Sequence, residues 1–350
     1  MSGAAAAPSE RPRILLLRTS SLGDVVHTLP VLTALRRHLP GATLGWVVEE
    51  PFAPLLAGHP DLDRLIVVRL RQWRRRPLLP RTWAEAAAFL DALDSFAPEV
   101  VLDLMGNHKA AVTAALSLAP RRIGHARAFR REPSSAVWLS ERVPARGTHA
   151  VDRALSLLDA LGLPRAPADF GGEKLFRAAA PAGRAADGGG PPFALLHPGA
   201  GWGNKAYPPR WWGEAVRRLH AATGVRTRIA AGPGEETLAA AVAAGAGGEA
   251  AAVAPAPDLP ALAGLLRQAA LVLGGDTGPT HLAHALGTPV LMVMGPTDPA
   301  RHGPYGAPER AIYRRLPCSF CYRRFGEAKA CLLEIPPERL AERAAELLAV

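Results

Sequence analysis

Three short stretches hold side chains that can move a proton or grip an anion. The first, Thr19-Ser20-Ser21-Leu22-Gly23-Asp24, sets a carboxylate beside a glycine in a hydroxyl-rich turn. A carboxylate there can act as a general base, and the glycine lets a ligand approach the backbone. Asp24 fits equally well as a helix N-cap, contributing about 1 kcal/mol, and the two uses are compatible. The second, HPGAGWGNKAYPP at 197–209, is kept slim by three glycines and carries Lys205 near its end. Lys205 reads either as a point charge for a diphosphate or as a solvated surface lysine. The third is Gly275-Asp276-Thr277-Gly278-Pro279-Thr280-His281. At a helix start, its free N–H groups and the helix dipole would bind phosphate, Thr277 could add a hydroxyl, and His281 would lie one turn in. The plainer reading is a capped helix start, with Asp276 or Thr277 as cap and Gly278 as turn residue. Glu235 and Glu236 follow another glycine turn, where a glutamate can hold ribose hydroxyls or merely favour a helix N-terminus. Neither GxGxxG nor GxxxxGK[ST] occurs at the first turn.

Each of these turns follows an apolar run that predicts a buried parallel strand. The runs are Ile14–Leu17, Phe193–Leu196, Thr227–Ala231 and Leu271–Leu273, with others at Thr43–Val48, Leu65–Val68, Val100–Leu104 and Val290–Met294. Helical spacing follows most of them: Val31, Leu32, Leu35 and Leu39 after the first, then 82–94, 148–161, 211–222, 259–269 and 337–348. Strands alternating with helices predict parallel sheets covered on both faces, with ligands outside the carboxyl ends of the strands. Residues 178–192 are dominated by Ala, Gly and Pro and read as a linker between two similar halves.

At 350 residues the chain can build two such domains. The net charge of +10 suggests an anionic partner, but no recognised nucleic-acid motif accompanies it, so no nucleic acid is expected. Arg69, Arg71, Arg74, Arg75 and Arg76 crowd around Trp73 just after a strand, as a solvated face or an anion site. No run of about 18 apolar residues predicts a transmembrane helix. Residues 1–12 read as a disordered tail, and a cytoplasmic protein is expected. Three late cysteines, Cys318, Cys321 and Cys331, make no disulfide framework, and with no clear fourth zinc ligand they read as reduced thiols. Asp61-Leu62-Asp63 lies at the wrong end of its strand to hold a metal.

Together, RTSSLGDVVHTLP at 18–30, WVVEEPFAPLLAGHP at 46–60, HPGAGWGNKAYPPRWW at 197–212, GDTGPTHLAHALGTPV at 275–290 and GPTDP at 295–299 resemble glycosyltransferase family 9, the lipopolysaccharide heptosyltransferases. WVVEE with the Arg-Trp-Arg cluster is most similar to the heptosyltransferase I branch, the HPGAGWGNK loop and PCSFCYRRF to type II enzymes. The resemblance implies a GT-B fold: an acceptor domain over 13–177, a nucleotide-sugar domain over 193–335, a C-terminal helix over 336–350 and an active site between the domains. It implies an inverting, metal-independent transfer from ADP-heptose to the Kdo/inner-core region of lipopolysaccharide, with no cofactor and peripheral contact with the inner membrane. Asp24 matches the general base and Lys205 the lysine that neutralises donor phosphate. Gly199, Ala200, Glu235, Asp276, Thr277, Gly278 and His281 match the donor side. Ser20, Ser21, Arg71, Arg74, Arg75, Lys109 and Arg131 are expected to face the anionic acceptor. The alternatives are a family member acting on a later core heptose or another acceptor, and a nucleotide-sugar-binding protein without turnover.

Overall fold

Ile14 to Leu17 are almost wholly buried and form, with Arg13, the strand β1 at the centre of a six-stranded parallel sheet. The computed structural model describes residues 11–177, 191–248 and 250–349. The tail expected over 1–12 and the linker expected over 178–192 lie almost entirely outside them. The chain divides into two compact units, Met1–Ala179 and Ala180–Val350.

The first unit contains β1 (Arg13–Leu17), β2 (Thr43–Glu49), β3 (Arg64–Val68), β4 (Val100–Asp103), β5 (Arg121–His125) and β6 (Glu141–Val143), in the order β3-β2-β1-β4-β5-β6. Leu17 at the end of β1 lies beside Val47 and Asp103. The strand order reverses between β1 and β4, so the turns after these two strands border the crevice where such sheets bind ligands. The helix Pro80–Phe96 buries Phe89, Leu93 and Phe96 against Leu15, Val47 and Val101. A Cβ on Gly45 would lie 2.7 Å from the Phe96 ring, so only glycine lets that ring reach the sheet.

The second unit repeats the plan. Its strands are β7 (Phe193–His197), β8 (Arg226–Ala231), β9 (Ala251–Pro255), β10 (Leu271–Gly275), β11 (Val290–Met294) and β12 (Ala311–Tyr313), in the order β12-β11-β10-β7-β8-β9. Its reversal lies between β7 and β10. Trp212, Val216 and Leu219 on the helix Pro209–Thr223 are fully buried, each contributing about 1.5–3 kcal/mol. That helix touches Glu236–Ala246 closely, since a Cβ on Gly213 would sit 2.8 Å from the Gly245 backbone. The last helix, Pro337–Leu348, belongs to this core through Leu340, Ala341 and Ala344, and Glu338 pairs with Arg218 at 2.6 Å. Each unit is therefore a doubly wound Rossmann-like α/β fold.

The structure departs from the sequence expectations in three ways. The first helix is two, Leu22–Val26 and Leu29–His38, because Pro30 starts the second rather than continuing the first. The helix expected over 148–161 turns to 3-10 geometry after Leu155. Four strands, β5, β6, β9 and β12, were not predicted. Three of them close sheet edges, and β9 buries only Ala251 fully, so no apolar run marks it. Among the described residues no helix is long and apolar enough to cross a membrane.

Candidate active site

In the first unit, Ser21 caps the helix Leu22–Val26 and Asp24 is its third residue. Asp24 is thus not the N-cap residue but the acidic partner in a capping box. The Ser21 N–H and hydroxyl donate to Asp24 Oδ2 at 3.1 and 2.8 Å, and Arg18 Nη2 donates to Oδ1 at 3.1 Å. The Asp24 side chain still keeps 38% of its surface open, against 15% for Arg18. The carboxylate is therefore fixed in direction yet reachable. The strand end behind it is held by buried groups: Trp46 Nε1 donates to the Arg18 carbonyl at 3.0 Å, and the Glu49 N–H donates to the Thr19 carbonyl at 3.0 Å.

The turn after β4 approaches from the other side of the reversal. Thr19 Oγ1 donates to Met105 Sδ at 3.4 Å. Lys109 Nζ reaches Glu49 Oε1 at 3.0 Å, and Glu49 is nearly buried, so Lys109 is committed to an ion pair. Asp103 and Arg130 form an ion pair with no exposed surface, Nη2 to Oδ2 at 2.6 Å. Asp103 Oδ1 also accepts the Met105 and Gly106 N–H groups. This buried pair fixes the loop next to Arg131, and the sequence reading did not find it. Arg74 and Arg75 lie exposed on the helix Leu70–Arg75, and Arg71 stacks 6.0 Å over Phe52. Ser20 is half-buried in the turn itself. Ser21 and Asp24 are in contact; the arginines are spread along the rim rather than gathered on Asp24.

In the second unit, the turns after β7 and β10 meet across the reversal. Lys205 Nζ lies 2.6 Å from Asp276 Oδ2, with both side chains largely buried. The reading of Lys205 as a solvated surface lysine is thereby excluded. Thr297 Oγ1 donates to the same Asp276 oxygen, and His281 Nε2 meets Oδ1 at 3.0 Å. Burial alone would raise the Asp276 carboxyl, but the His281 hydrogen bond and the Lys205, His281 and His302 charges hold it far below the usual range. Glycines make room for this: a Cβ on Gly274 would strike Thr280 Oγ1, and one on Gly275 would press on the Lys205 carbonyl. Thr277 is the N-cap of the helix Gly278–Ala285, and Gly278 is its first helical residue rather than a turn residue. Lys205 also stacks 4.4 Å over Trp202, as does Arg324.

Glu235 stands at the end of the neighbouring turn. Its Oε2 accepts the Gly232 N–H at 3.1 Å and lies 3.4 Å from His197 Nε2. His197, not singled out in the sequence, is the largest cause of the lowered Glu235 carboxyl. Gly199 lies directly under this carboxylate, where a Cβ would collide with Oε1, and Ala200 follows it half-buried. The Glu235–Gly199 and Lys205–Asp276 groups thus line the ends of adjacent strands. The residue types available are a cation, hydroxyls, N–H groups and a carboxylate: what a nucleoside diphosphate needs at its phosphates and ribose.

The remaining candidates have structural partners. Asp61 pairs with Lys174 and Asp63 with Arg36. Cys318 and Cys321 are exposed and Cys331 is buried, all as free thiols. Among the described residues no group of three or more His, Cys, Asp or Glu side chains could hold a metal ion.

The family model for glycosyltransferase family 9 (heptosyltransferase) matches residues 87–330. The chain belongs to glycosyltransferase family 9. It is 36% identical over 317 residues to lipopolysaccharide heptosyltransferase 1 of Pseudomonas aeruginosa, covering 89% of this chain and 86% of that one. It is similar in structure to Escherichia coli heptosyltransferase WaaC with ADP, at TM-score 0.79 and 30% identity over 95% and 99% of the two chains. WaaC with ADP-2-deoxy-2-fluoro heptose gives TM-score 0.75 at the same identity and coverage. This family 9 chain is therefore a glycosyltransferase, and its two six-stranded sheets match the GT-B pair of the heptosyltransferases. The family match takes in His197, Lys205, Glu235 and Asp276; Asp24 lies before it.

Proposed function

We propose that this glycosyltransferase moves heptose from ADP-heptose to the Kdo/inner-core region of lipopolysaccharide, with inversion and without a metal. Residues 13–177 take the acceptor and 193–335 the nucleotide sugar. The observation that carries the reading is a pair of preorganised groups at two strand-order reversals. One is the Asp24 carboxylate held by Ser21 and Arg18; the other is the Lys205–Asp276–His281 cluster beside a helix start. The relatives support the choice of substrates: one is named for transfer to lipopolysaccharide, and WaaC was solved with ADP and with a fluorinated ADP-heptose.

In this reading an acceptor hydroxyl gives its proton to Asp24 as its oxygen attacks the anomeric carbon. The bond from that carbon to the ADP oxygen breaks on the opposite face, and ADP leaves with the electron pair. Lys205 and the N–H groups at Gly278 and Thr280 meet the charge that grows on the diphosphate. Asp276 holds Lys205 in place, and Glu235 takes the ribose hydroxyls. The protein works at the cytoplasmic face of the inner membrane, where the acceptor's phosphates and carboxylates meet Arg71, Arg74, Arg75 and Arg131.

Incubation with ADP-heptose and Kdo₂-lipid A should add one heptosyl unit by mass, with inverted anomeric configuration by NMR. Gain only on an already heptosylated core would move the enzyme to a later step. Donor binding with no product on either acceptor would leave a binding protein.

His197→Ala should raise the donor KM about tenfold by freeing the Glu235 carboxylate, with kcat little changed, because a hydrogen bond to a charged group contributes about 1.5–3 kcal/mol. His197→Gln, which keeps an N–H donor, should recover most of the loss. A fall in apparent kcat with KM unchanged, equal in both variants, would show loss of folded enzyme instead.

A further inference from the structure

No carboxylate occurs between Asp63 and Glu85, while seven arginines do. In the middle of this interval the turn Arg76–Pro77–Leu78–Leu79–Pro80 joins the helices Leu70–Arg75 and Pro80–Phe96. Leu78 is 88% exposed and Trp83 67%, and Leu79 is also exposed. Leu78 and Trp83 occupy the two staple positions that flank a helix start, where apolar side chains ordinarily cover each other. At these exposures the contact buries little of either, so helix stability does not account for the pair. Two prolines and two hydrogen bonds, Leu79 N–H and Thr82 Oγ1 to the Arg76 carbonyl, hold the turn in shape.

Beneath the tip the segment is anchored. Trp73 Nε1 donates to Glu85 at 2.9 Å and its ring meets Phe89 edge-on, and Phe89 belongs to the core. Glu85 is consumed by Trp73, Arg69 and Arg81. Arg74, Arg75 and Arg76 stay exposed around the apolar tip.

We propose that this tip, Leu78, Leu79 and Trp83 within the ring of Arg74, Arg75 and Arg76, docks the protein on an anionic phospholipid surface. Leucines and an indole enter the headgroup boundary while the arginines stay at the phosphates. A second copy of the chain fits poorly, because a two-fold contact on this patch would bring two arginine rings together. The proposal deepens the reading of a lipid-borne acceptor and rests on it for its purpose, but lipid binding can be measured with no acceptor present.

Co-sedimentation with vesicles of phosphatidylglycerol and phosphatidylethanolamine, and with phosphatidylcholine alone, tests it. The full chain should pellet with the anionic vesicles, not with the neutral ones, and should be released by high salt. Leu78→Asp with Trp83→Ser should lower partitioning at least about tenfold, since the apolar contribution scales with area buried in the bilayer. Transfer to a deacylated, water-soluble acceptor should be unchanged in that variant, while transfer to an acceptor held in vesicles should fall with the partitioning. Equal pelleting of variant and wild type, or no pelleting of wild type with anionic lipid, overturns the proposal. A wild-type dimer that the double variant splits overturns it in favour of a second copy. Failure of transfer on the deacylated acceptor by wild type would count against the catalytic reading, leaving the vesicle result to stand by itself.

Discussion

Asp24→Asn should reduce heptosyl transfer at least about a hundredfold while leaving ADP-heptose affinity within a few-fold, because general-base help of this kind contributes 10²–10⁴ in rate. The amide has the shape of the carboxylate and can still accept from the Ser21 N–H and hydroxyl, which now reach Oδ2 at 3.1 and 2.8 Å. It cannot take a proton from an acceptor hydroxyl, and its NH₂ has no match in the Arg18 guanidinium that faces Oδ1. The weakened capping box should lower the stability of the first unit by about 0.5–2 kcal/mol, which a thermal melt reads separately. Single-turnover transfer with donor and acceptor both saturating isolates the chemical step. A variant that keeps wild-type turnover there would remove Asp24 from the reaction, whatever its role in the helix.

Lys205→Met should have two separable effects. Loss of one preorganised cation at the leaving diphosphate is expected to cost about 10²–10³ in kcat, as loss of a single charge-stabilising donor does elsewhere. The substitution also strands Asp276 in a buried site, where an unpaired charge typically costs about 3–5 kcal/mol. The His281 and Thr297 contacts to Asp276 remain, so the lower end of that range is expected. Lys205→Met combined with Asp276→Asn removes both charges together. The double variant should regain much of the melting temperature and none of the activity. Activity recovered along with stability would mean that Lys205 serves the fold alone.

The sheets were legible where strands are buried on both faces. Ile14–Leu17, Val100–Leu102, Phe193–Leu196 and Val290–Met294 read as unbroken apolar runs because each is flanked by strands and covered by helices. The outer strands β6, β9 and β12 carry Arg142, Ala252 or Tyr313 on open surface, and the pattern vanishes with the burial. Turns after the central strands were legible for the same reason, and so were Asp24, Lys205 and Asp276 as candidates. What was not legible was pairing. Lys205 and Asp276 belong to different turns and meet only because β7 and β10 are neighbours. Glu49–Lys109 and Asp103–Arg130 likewise depend on strand order. His197 ends its strand as any buried residue would, and only the position of Glu235 gives it a partner.

The strand order has a consequence for synthesis. Among the described residues every ladder is parallel and no strand pairs through a tight hairpin, so Ile14 must wait for Val100 as Ala194 must wait for Leu271. At about 5–20 residues per second, the ribosome leaves one edge of Ile14–Leu17 without its neighbour for roughly 4–17 s. That quartet is apolar and carries no charge to discourage pairing with another nascent chain. The strand that later presents Asp24 is thus the segment in greatest need of chaperone cover before the sheet closes around it.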